Sequence, residues 1–412
     1  MNINWKPELL VPAGSFESLQ TAVLYGADAV YLGGTQYGLR AKARNFDEEE
    51  LAKGTAYAHE HGVKVYVTVN IIAHNEQLEG LDEYLLYLQQ IGVDALIISD
   101  AGILEIAKET IPEMELHLST QASATNYRTM NFWHQQGVKR IVCAREMSLE
   151  EIRETREKID PELDLEAFVH GAMCMSISGR CVLSNYMAGR DANQGACVHP
   201  CRWKYALMEE SRPGEYMPVF EDENGTYIFN SKDLCMIEYI PELVQAGVMS
   251  FKIEGRMKTP LYVAMVTKAY REAIDDWYYD PDRYHEKIPY YQELLRMVSH
   301  RDYSTGFYLG KPDASSQIYD QDQSQQNAFF VGKVLSNDGA HALVEQRNKF
   351  SVGETIFLLS KEGPLKAVQV QSIEDEQGQP QESAPHARQK ILLPLPEEAE
   401  AGMILLKIKP GQ

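Results

Sequence analysis

The chain has 412 residues, 44% of them hydrophobic and 24% charged, which is the composition of an ordinary globular protein. Its formal net charge of −21 excludes broad, non-specific attraction to RNA or DNA but leaves room for a local basic patch. Six cysteines are too few for a disulfide scaffold. The sequence opens without a basic segment followed by an apolar one. We therefore expect a cytoplasmic protein that does not enter a membrane.

The first two thirds of the sequence repeat one pattern, in which a short β-branched run is followed by a stretch with the apolar spacing of a helix. A ninth candidate strand, TYIFN at 226–230, leaves the strand count open by one. Eight parallel strands that alternate with helices indicate an α/β fold, a TIM-like parallel β/α barrel. The eight runs predict strands at residues 9–12, 29–34, 63–70, 95–100, 115–120, 140–144, 165–171 and 250–255.

Several predicted strands alternate aliphatic and polar residues, which indicates that one face of the sheet is polar. The turn after the first strand reads VPAGSFES and lacks the GxGxxG fingerprint of a dinucleotide-binding open sheet. We therefore expect the polar face to line a barrel lumen that opens at the carboxyl ends of the strands. The candidates on this face are Tyr66, Thr68, Asn70, His117, Ser119, Gln121, Glu166, Phe168, His170, Ser250, Lys252, Glu254 and Arg256.

The sequence divides into two predicted domains. Residues 1–285 carry the barrel pattern and include a cysteine-rich segment at 171–215. Residues 286–325 end in a polar run and are predicted to be a connector. Residues 326–412 contain short alternating strands with turns at NDG and VGE, which predicts a small all-β barrel.

Four cysteines fall within 28 consecutive residues, with the spacing Cys174-x6-Cys181-x15-Cys197-x3-Cys201. Such clustering indicates metal ligation, because a scaffold of disulfides would spread along the chain. Zinc sites usually present two close pairs, and the first pair here is too widely spaced for that geometry. Four thiolates suit a cubane 4Fe-4S cluster, although the radical-SAM spacing is absent. The spacing alone favours iron–sulfur and leaves zinc and reduced structural thiols open.

The cysteine segment resembles the peptidase U32 family, also called collagenase-like peptidases. The motif E-x-F-x-x-G-A-x-C-x4-G-x-C-x-x-S is present as EAFVHGAMCMSISGRCVLS, from Glu166 to Ser184. The resemblance covers nearly the whole chain, including ELLVPAGS, GLRAKARNF, STQAS, FKIEGRMK and HRDYSTGFYLG. Within the family, GRDANQGACVHPCRWKY is most similar to the branch implicated in hydroxylation of the tRNA wobble uridine to 5-hydroxyuridine.

This resemblance implies a tRNA-modifying enzyme that works without O2 and uses prephenate as the hydroxyl source. It also implies a 4Fe-4S cluster on the cysteines that match the family's ligands, Cys174, Cys181, Cys197 and Cys201. The implied partners are tRNA, prephenate and, as a further one, a second member of the family. Four cysteine ligands leave no iron with an open position, which favours electron transfer or structural support over Lewis-acid catalysis.

The lumen candidates supply suitable groups for such a site. A base stacked in an anticodon loop must be extruded before it can enter a barrel. Lys252 and Arg256 would then pair with the carboxylates of prephenate. Asn70 and Gln121 carry the donor and acceptor atoms that a uracil edge requires.

Proton transfer would fall to His170, at the end of the strand that leads to the first cysteine, and to Glu254 as a base. Lys252 is a further candidate for catalysis, and Arg145 and Lys232 are further candidates for substrate binding. The alternative for each of these residues is a buried hydrogen-bond network that only fills a polar lumen.

Two other function classes stay open at this point. One is a peptidase acting on collagen-like chains, as the family name says, although neither HExxH nor GxSxG occurs in the sequence. The other is a non-catalytic RNA-binding or assembly factor in which the cysteine segment organises a surface.

Overall fold

The computed structural model describes residues 5–38, 45–173, 232–310 and 325–409, and the backbone of six short strands between residues 207 and 318. The predicted cluster ligands Cys174, Cys181, Cys197 and Cys201 lie outside the described residues. Among the helices that are described, none is long and apolar enough to cross a membrane.

Eight parallel strands close into a barrel, which confirms the predicted fold class. The last strand pairs with the seventh on one side and with the first on the other, so that the sheet has no open edge. The TYIFN segment is not a barrel strand, because its residues fall in short strands that pair elsewhere. The barrel strands are β1 (Glu8–Pro12), β2 (Ala29–Leu32), β3 (Lys64–Val69), β4 (Ala95–Ile98), β5 (Glu115–Leu118), β6 (Arg140–Val142), β7 (Asp164–Gly171) and β8 (Val248–Ile253).

Helices connect the strands and cover the outside of the barrel. Most of them begin at a Ser, Thr, Asp or Asn whose side chain accepts a hydrogen bond from the first turn, as at Ser15, Asp100 and Thr259. The helices are α1 (Phe16–Leu24), α2 (Glu48–Glu60), α3 (Leu81–Gln90), α4 (Ala101–Thr110), α5 (Tyr127–Gln135), α6 (Leu149–Arg156), α7 (Ile240–Gln245), α8 (Pro260–Tyr279) and α9 (Pro281–Met297), with 3-10 turns at Asn75–Gln77 and Thr120–Ala122.

The period-two pattern of the strands separates two cores. Val65, Val67 and Val69 of β3 face outward and join the large apolar core between the strands and the helices. A small apolar group fills part of the lumen, and its members are Leu10, Ala29, Tyr31, Tyr66, Ala95 and Ile97. Apart from Phe168, the other predicted lumen residues on the strands of the described barrel are polar.

The predicted connector at 286–325 is wrong over its first part. Residues 286–297 belong to α9, which packs along α8 and buries Tyr284, Tyr291, Leu294 and Leu295 in the barrel's outer core. After α9, the short strand Tyr303–Ser304 pairs with another short strand, Asp233–Cys235, which in turn pairs with the end of β7. Residues 286–297 are therefore part of a helix that completes the barrel domain.

The C-terminal domain is an eight-stranded antiparallel sheet that curves as a half-barrel around its own apolar core. The strand order is β12–β11–β15–β9–β10–β14–β13, followed by the edge strand Pro380–Gln381. The members are β9 (Ala328–Asn337), β10 (Ala342–Gln346), β11 (Thr355–Leu359), β12 (Lys366–Gln369), β13 (Ile373–Asp375), β14 (Lys390–Leu393) and β15 (Ile404–Ile408).

The two domains are joined through buried polar contacts. The Tyr25 hydroxyl donates to the Leu359 carbonyl at 2.8 Å and accepts from the Ile404 amide at 3.2 Å. Lys268, fully buried on α8, donates to the Lys361 carbonyl at 3.1 Å. Because an unsatisfied buried polar group is costly, these contacts fix the C-terminal domain against α1 and α8.

We predict that Tyr25→Phe lowers the free energy of unfolding by about 1–3 kcal/mol, because it leaves a buried carbonyl and a buried amide without their partner. Urea denaturation of the full chain measures this change. The matched control is Tyr279→Phe, whose ring is 74% exposed and whose hydroxyl loss is expected to be neutral. Equal stabilities of the two variants would contradict this role of Tyr25.

Candidate active site

A buried ionic network occupies the amino-terminal half of the lumen. Arg140, the first residue of β6, contacts Glu8 at 2.5 Å and Glu166 at 3.5 Å. Ser250 donates to both carboxylates, at 2.9 Å to Glu8 and 3.2 Å to Glu166. Lys252 completes the network with a 2.6 Å ion pair to Glu166. Arg140 also contacts the partly exposed Asp164 at 3.3 Å, so two cations face three carboxylates in this network.

Lys252 is held by this network. Its ammonium lies over the rings of Tyr31 and Phe168, at 4.6 and 5.6 Å from their centroids, and its side chain is 5% exposed. Burial alone would raise the pKa of Glu166, but Lys252 and Arg140 outweigh burial and lower it, so that the carboxylate stays charged. The sequence proposed Lys252 for catalysis or carboxylate binding. The structure gives this ammonium a carboxylate partner within the protein.

Polar side chains collect at the opposite end of the barrel, where barrel enzymes carry out their chemistry. They follow the carboxyl ends of strands β3, β4, β5, β6 and β8, and two loop glycines face them. The described members of this mouth are Gly33, Thr68, Asn70, Ser99, Ser119, Gln121, Arg145, Glu254 and Arg256.

Arg256 enters the mouth through a gap that two glycines leave open. Its Nη1 donates to the Thr68 hydroxyl at 2.9 Å. A Cβ at Gly33 would lie 2.3 Å from that Nη1, and a Cβ at Gly14 would lie 1.8 Å from the Arg256 carbonyl oxygen. Any side chain at either glycine would displace the arginine. A guanidinium with this fixed position suits bidentate binding of a carboxylate.

A chain of amides and hydroxyls lines the other side of the mouth. The Asn70 amide donates to the Ser119 hydroxyl at 3.4 Å, and Ser119 donates to Gln121 Oε1 at 3.4 Å. Ser99 donates to the Asn70 carbonyl at 2.9 Å. The buried Gln121 Nε2 finds no acceptor among the residues that the structure describes. These groups can meet the hydrogen-bonding edge of a nucleobase.

Arg145 and Glu254 lie between Arg256 and the chain of amides and hydroxyls. Their charged atoms lie 3.6 Å apart, and Arg145 also donates to the Ala172 carbonyl at 2.8 Å. The guanidinium covers the Phe168 ring at 3.9 Å. Both residues that the sequence proposed are therefore at the mouth, and Arg145 fixes the main chain two residues before Cys174.

The predicted lumen position of His170 is wrong. The pairing of β7 with β8 is irregular between Lys252 and Ile253, so His170 leaves the alternation that puts Glu166 on the lumen face. Its ring packs against Tyr262 and Tyr270 of the outer helix α8, at centroid distances of 6.0 and 5.6 Å. The imidazole is 1% exposed. It packs into the outer layer, and we do not assign it the proton-transfer step.

Lys232 is half-buried and directly precedes the strand Asp233–Cys235, whose Leu234 pairs with Gly171 at the end of β7. It thus lies beside the point at which the chain departs toward the cysteine segment. The segment's donor set is four thiolates, which matches in number and softness the ligands of a cubane iron–sulfur cluster. Within the described residues, no group of three or more His, Cys, Asp or Glu side chains forms a metal site.

Sequence reasoning overlooked two contributions to the site. The glycines of VPAGS and YLGG accommodate Arg256, whose hydrogen-bond partner Thr68 was among the predicted lumen residues. The two glycine-containing turns were visible in the sequence, but their contact with Arg256 joins opposite ends of the barrel domain. The closed barrel with this polar mouth defines the chain as a β/α-barrel protein.

The chain belongs to peptidase family U32. The family's model matches residues 14–318, and the model of its C-terminal domain matches residues 326–405.

Among similar proteins, tRNA hydroxylation protein P1 of Bacillus subtilis is 40% identical over 409 residues, which covers 99% of this chain and 96% of that protein. The tRNA hydroxylation protein P of Escherichia coli is 38% identical over 443 aligned residues, with 98% and 96% of the two chains covered. The 23S rRNA 5-hydroxycytidine C2501 synthase of Escherichia coli is 39% identical over 268 residues, with 65% of this chain and 39% of that protein covered.

We predict that the burial of His170 makes stability depend on pH. Burial, together with the neighbouring His300 and Lys258, lowers the pKa of His170 to about 3. The pKa of a histidine in an unfolded chain is about 6.5. Below that pH the unfolded chain binds a proton that the folded chain rejects, so stability falls as the pH falls.

Urea denaturation at pH 7.5 and 5.5 measures the effect. Between pH 7.5 and 5.5, the free energy of unfolding of wild type is expected to fall by about 1 kcal/mol more than that of His170→Asn, which lacks the titrating imidazole. The other buried histidines contribute equally to both proteins and cancel. Equal losses in the two proteins would show that His170 is accessible to protons in the folded state.

Proposed function

We propose that this chain is a tRNA-modifying enzyme that hydroxylates the wobble uridine to 5-hydroxyuridine, independently of O2 and with prephenate as co-substrate. The observation that carries the proposal is the similarity over 99% and 98% of the chain to two relatives named for tRNA hydroxylation. The similarity to the rRNA 5-hydroxycytidine synthase covers only 65% of the chain, which makes tRNA the better-supported substrate.

The mouth of the barrel supports this choice of substrates. Arg256 would bind a prephenate carboxylate, and its hydrogen bond to Thr68 would orient the guanidinium group for bidentate binding. Gln121 and Asn70 would bind the edge of an extruded uracil, and the buried Gln121 Nε2 would donate to a base carbonyl. Glu254, held by Arg145, would accept the proton that leaves the base.

The reaction needs an electron acceptor as well as an oxygen donor. Loss of CO2 from prephenate forms an aromatic ring and expels the ring hydroxyl at the oxidation level of hydroxide. Transfer of that oxygen to C5 of uracil replaces a C–H bond by a C–O bond, releasing one proton and two electrons. The proton goes to Glu254, and the two electrons must go to a redox carrier.

A 4Fe-4S cluster is the carrier that we propose, with Cys174, Cys181, Cys197 and Cys201 as its ligands. When bound, the cluster would supply one-electron transfer, so the two electrons would leave in two successive steps and would pass on to an external electron acceptor. The described chain supports this assignment up to the start of the cysteine segment, since β7 ends at Gly171 and Arg145 at the mouth holds the Ala172 carbonyl.

We predict that tRNA from a strain lacking this protein loses 5-hydroxyuridine. Mass spectrometry of nucleosides from anaerobically grown cells measures the modification. Wild type is expected to restore it, whereas Cys197→Ser, Arg256→Gln and Gln121→Ala restore less than about a tenth, because each removes a ligand of the cluster or a substrate contact.

Matched controls separate these roles from general damage. Cys235→Ala removes a cysteine outside the quartet, and Arg271→Gln removes an arginine whose partners, Asp28 and Asp275, lie outside the barrel mouth. Both are expected to restore the modification. Unchanged 5-hydroxyuridine in the deletion strain would refute the proposed function.

A further inference from the structure

The acidity of the chain is concentrated in the barrel domain. Residues 326–412 contain nine lysines and arginines against eleven aspartates and glutamates, a net charge of −2, whereas the whole chain has −21. An RNA substrate that approaches this protein is therefore repelled least by the C-terminal half-barrel.

One face of this half-barrel combines an exposed aromatic ring with lysines. Phe329 on β9 is 39% exposed and stands directly opposite Lys407 on β15, so that the two side chains share one face of the sheet. The ammonium of Lys409 lies over the Phe329 ring, 5.4 Å from its centroid. Lys407 also donates to the main chain of the exposed Lys349 at 3.4 Å. We call Phe329, Lys349, Lys407 and Lys409 the phenylalanine–lysine patch.

The patch is connected with the barrel domain through a series of contacts. The Lys409 amide donates to the Asn327 carbonyl at 2.9 Å, and the Asn327 amide donates to the carbonyl of Met297, the last residue of α9, at 3.2 Å. From there the contacts continue to β7, because the His300 ring stacks on Tyr303 and the Tyr303 ring contacts His170. Successive main-chain and ring contacts thus connect the patch with the carboxyl end of β7.

We infer that the phenylalanine–lysine patch is a docking surface for the RNA substrate, which holds the sugar–phosphate backbone outside the barrel while the target base enters the mouth. This inference rests on the proposed function. Lysines neutralise phosphates, and an exposed aromatic ring offers a stacking platform to an unpaired base. Glu354 contacts Lys407 at 2.6 Å and holds its chain in place at the edge of the patch.

Binding of a fluorescently labelled tRNA transcript with uridine at the wobble position tests the inference. The protein is the full chain, prepared anaerobically with its metal. The triple variant Lys349→Ala/Lys407→Ala/Lys409→Ala is expected to weaken binding at least about tenfold. It is also expected to reduce the slope of log Kd against log salt by about 2, because each lost phosphate contact contributes about 0.7–0.9.

Two controls make the result specific. The variant Lys361→Ala/Lys366→Ala/Lys390→Ala removes the same charge from lysines of the same domain that lie outside the phenylalanine–lysine patch, and it is expected to bind like wild type. Phe329→Ala is expected to weaken binding at least about fivefold, whereas Phe329→Tyr, which keeps the ring, is expected to retain it.

A measurement on the wild-type protein tests the inference without a variant, which would be needed if a variant did not fold. Hydrogen exchange in peptides that cover 326–333 and 404–409 is expected to slow severalfold when the tRNA is added. Unaltered affinity of the triple variant, or the absence of protection in these peptides, would overturn the inference. Either result would leave the proposed function standing if 5-hydroxyuridine still disappears in the deletion strain.

Discussion

The ion pair between Lys252 and Glu166 is the contact on which the barrel and its site depend. It joins neighbouring strands β7 and β8 at 2.6 Å, and Arg140 and Ser250 connect the same carboxylate to β6 and, through Glu8, to β1. Removing one partner of such a buried pair typically costs about 3–5 kcal/mol, because the other charge stays buried alone. The network therefore fills one half of the lumen with ion-paired side chains. The polar groups available to a ligand are those at the opposite end.

The mouth is shaped by close approach as much as by polar side chains. Arg256 reaches Thr68 only because Gly33 has no Cβ, and its main chain lies against Gly14. Arg145 connects the carboxylate of Glu254 to the main chain at Ala172. Movement of any of these loops would thus be transmitted to the arginines. The C-terminal domain adds to this rigidity through Tyr25, which ties α1 to two strands of the half-barrel.

Periodicity predicted the part of the fold that depends on local sequence. All eight barrel strands overlap the predicted runs, because side chains in a strand alternate strictly between the two faces. His170 was misplaced because an irregular register at the end of β8 breaks that alternation, and this irregularity depends on a partner strand about 80 residues away. The part of α9 after residue 285 was predicted to belong to a connector, because that prediction rested on the polar run near residue 325 and not on the apolar spacing of the helix.

The candidate site was predictable in part for the same reason. Asn70, Gln121, Arg145, Glu254 and Arg256 follow strand ends, and strand ends are readable from the sequence. The pairing of Lys252 with Glu166 could not be predicted from the sequence, because it depends on the register between β7 and β8. The exposed ring of Phe329 also gave no signal, since only the register with Lys407 shows that both belong to one face.

The most direct test of the barrel mouth as the reaction site is a crystal structure of the anaerobically purified protein with prephenate. We expect a carboxylate of prephenate within hydrogen-bonding distance of Arg256, with its ring directed toward Gln121 and Asn70. Prephenate bound at a place that does not include Arg256, with the mouth left empty, would contradict this assignment.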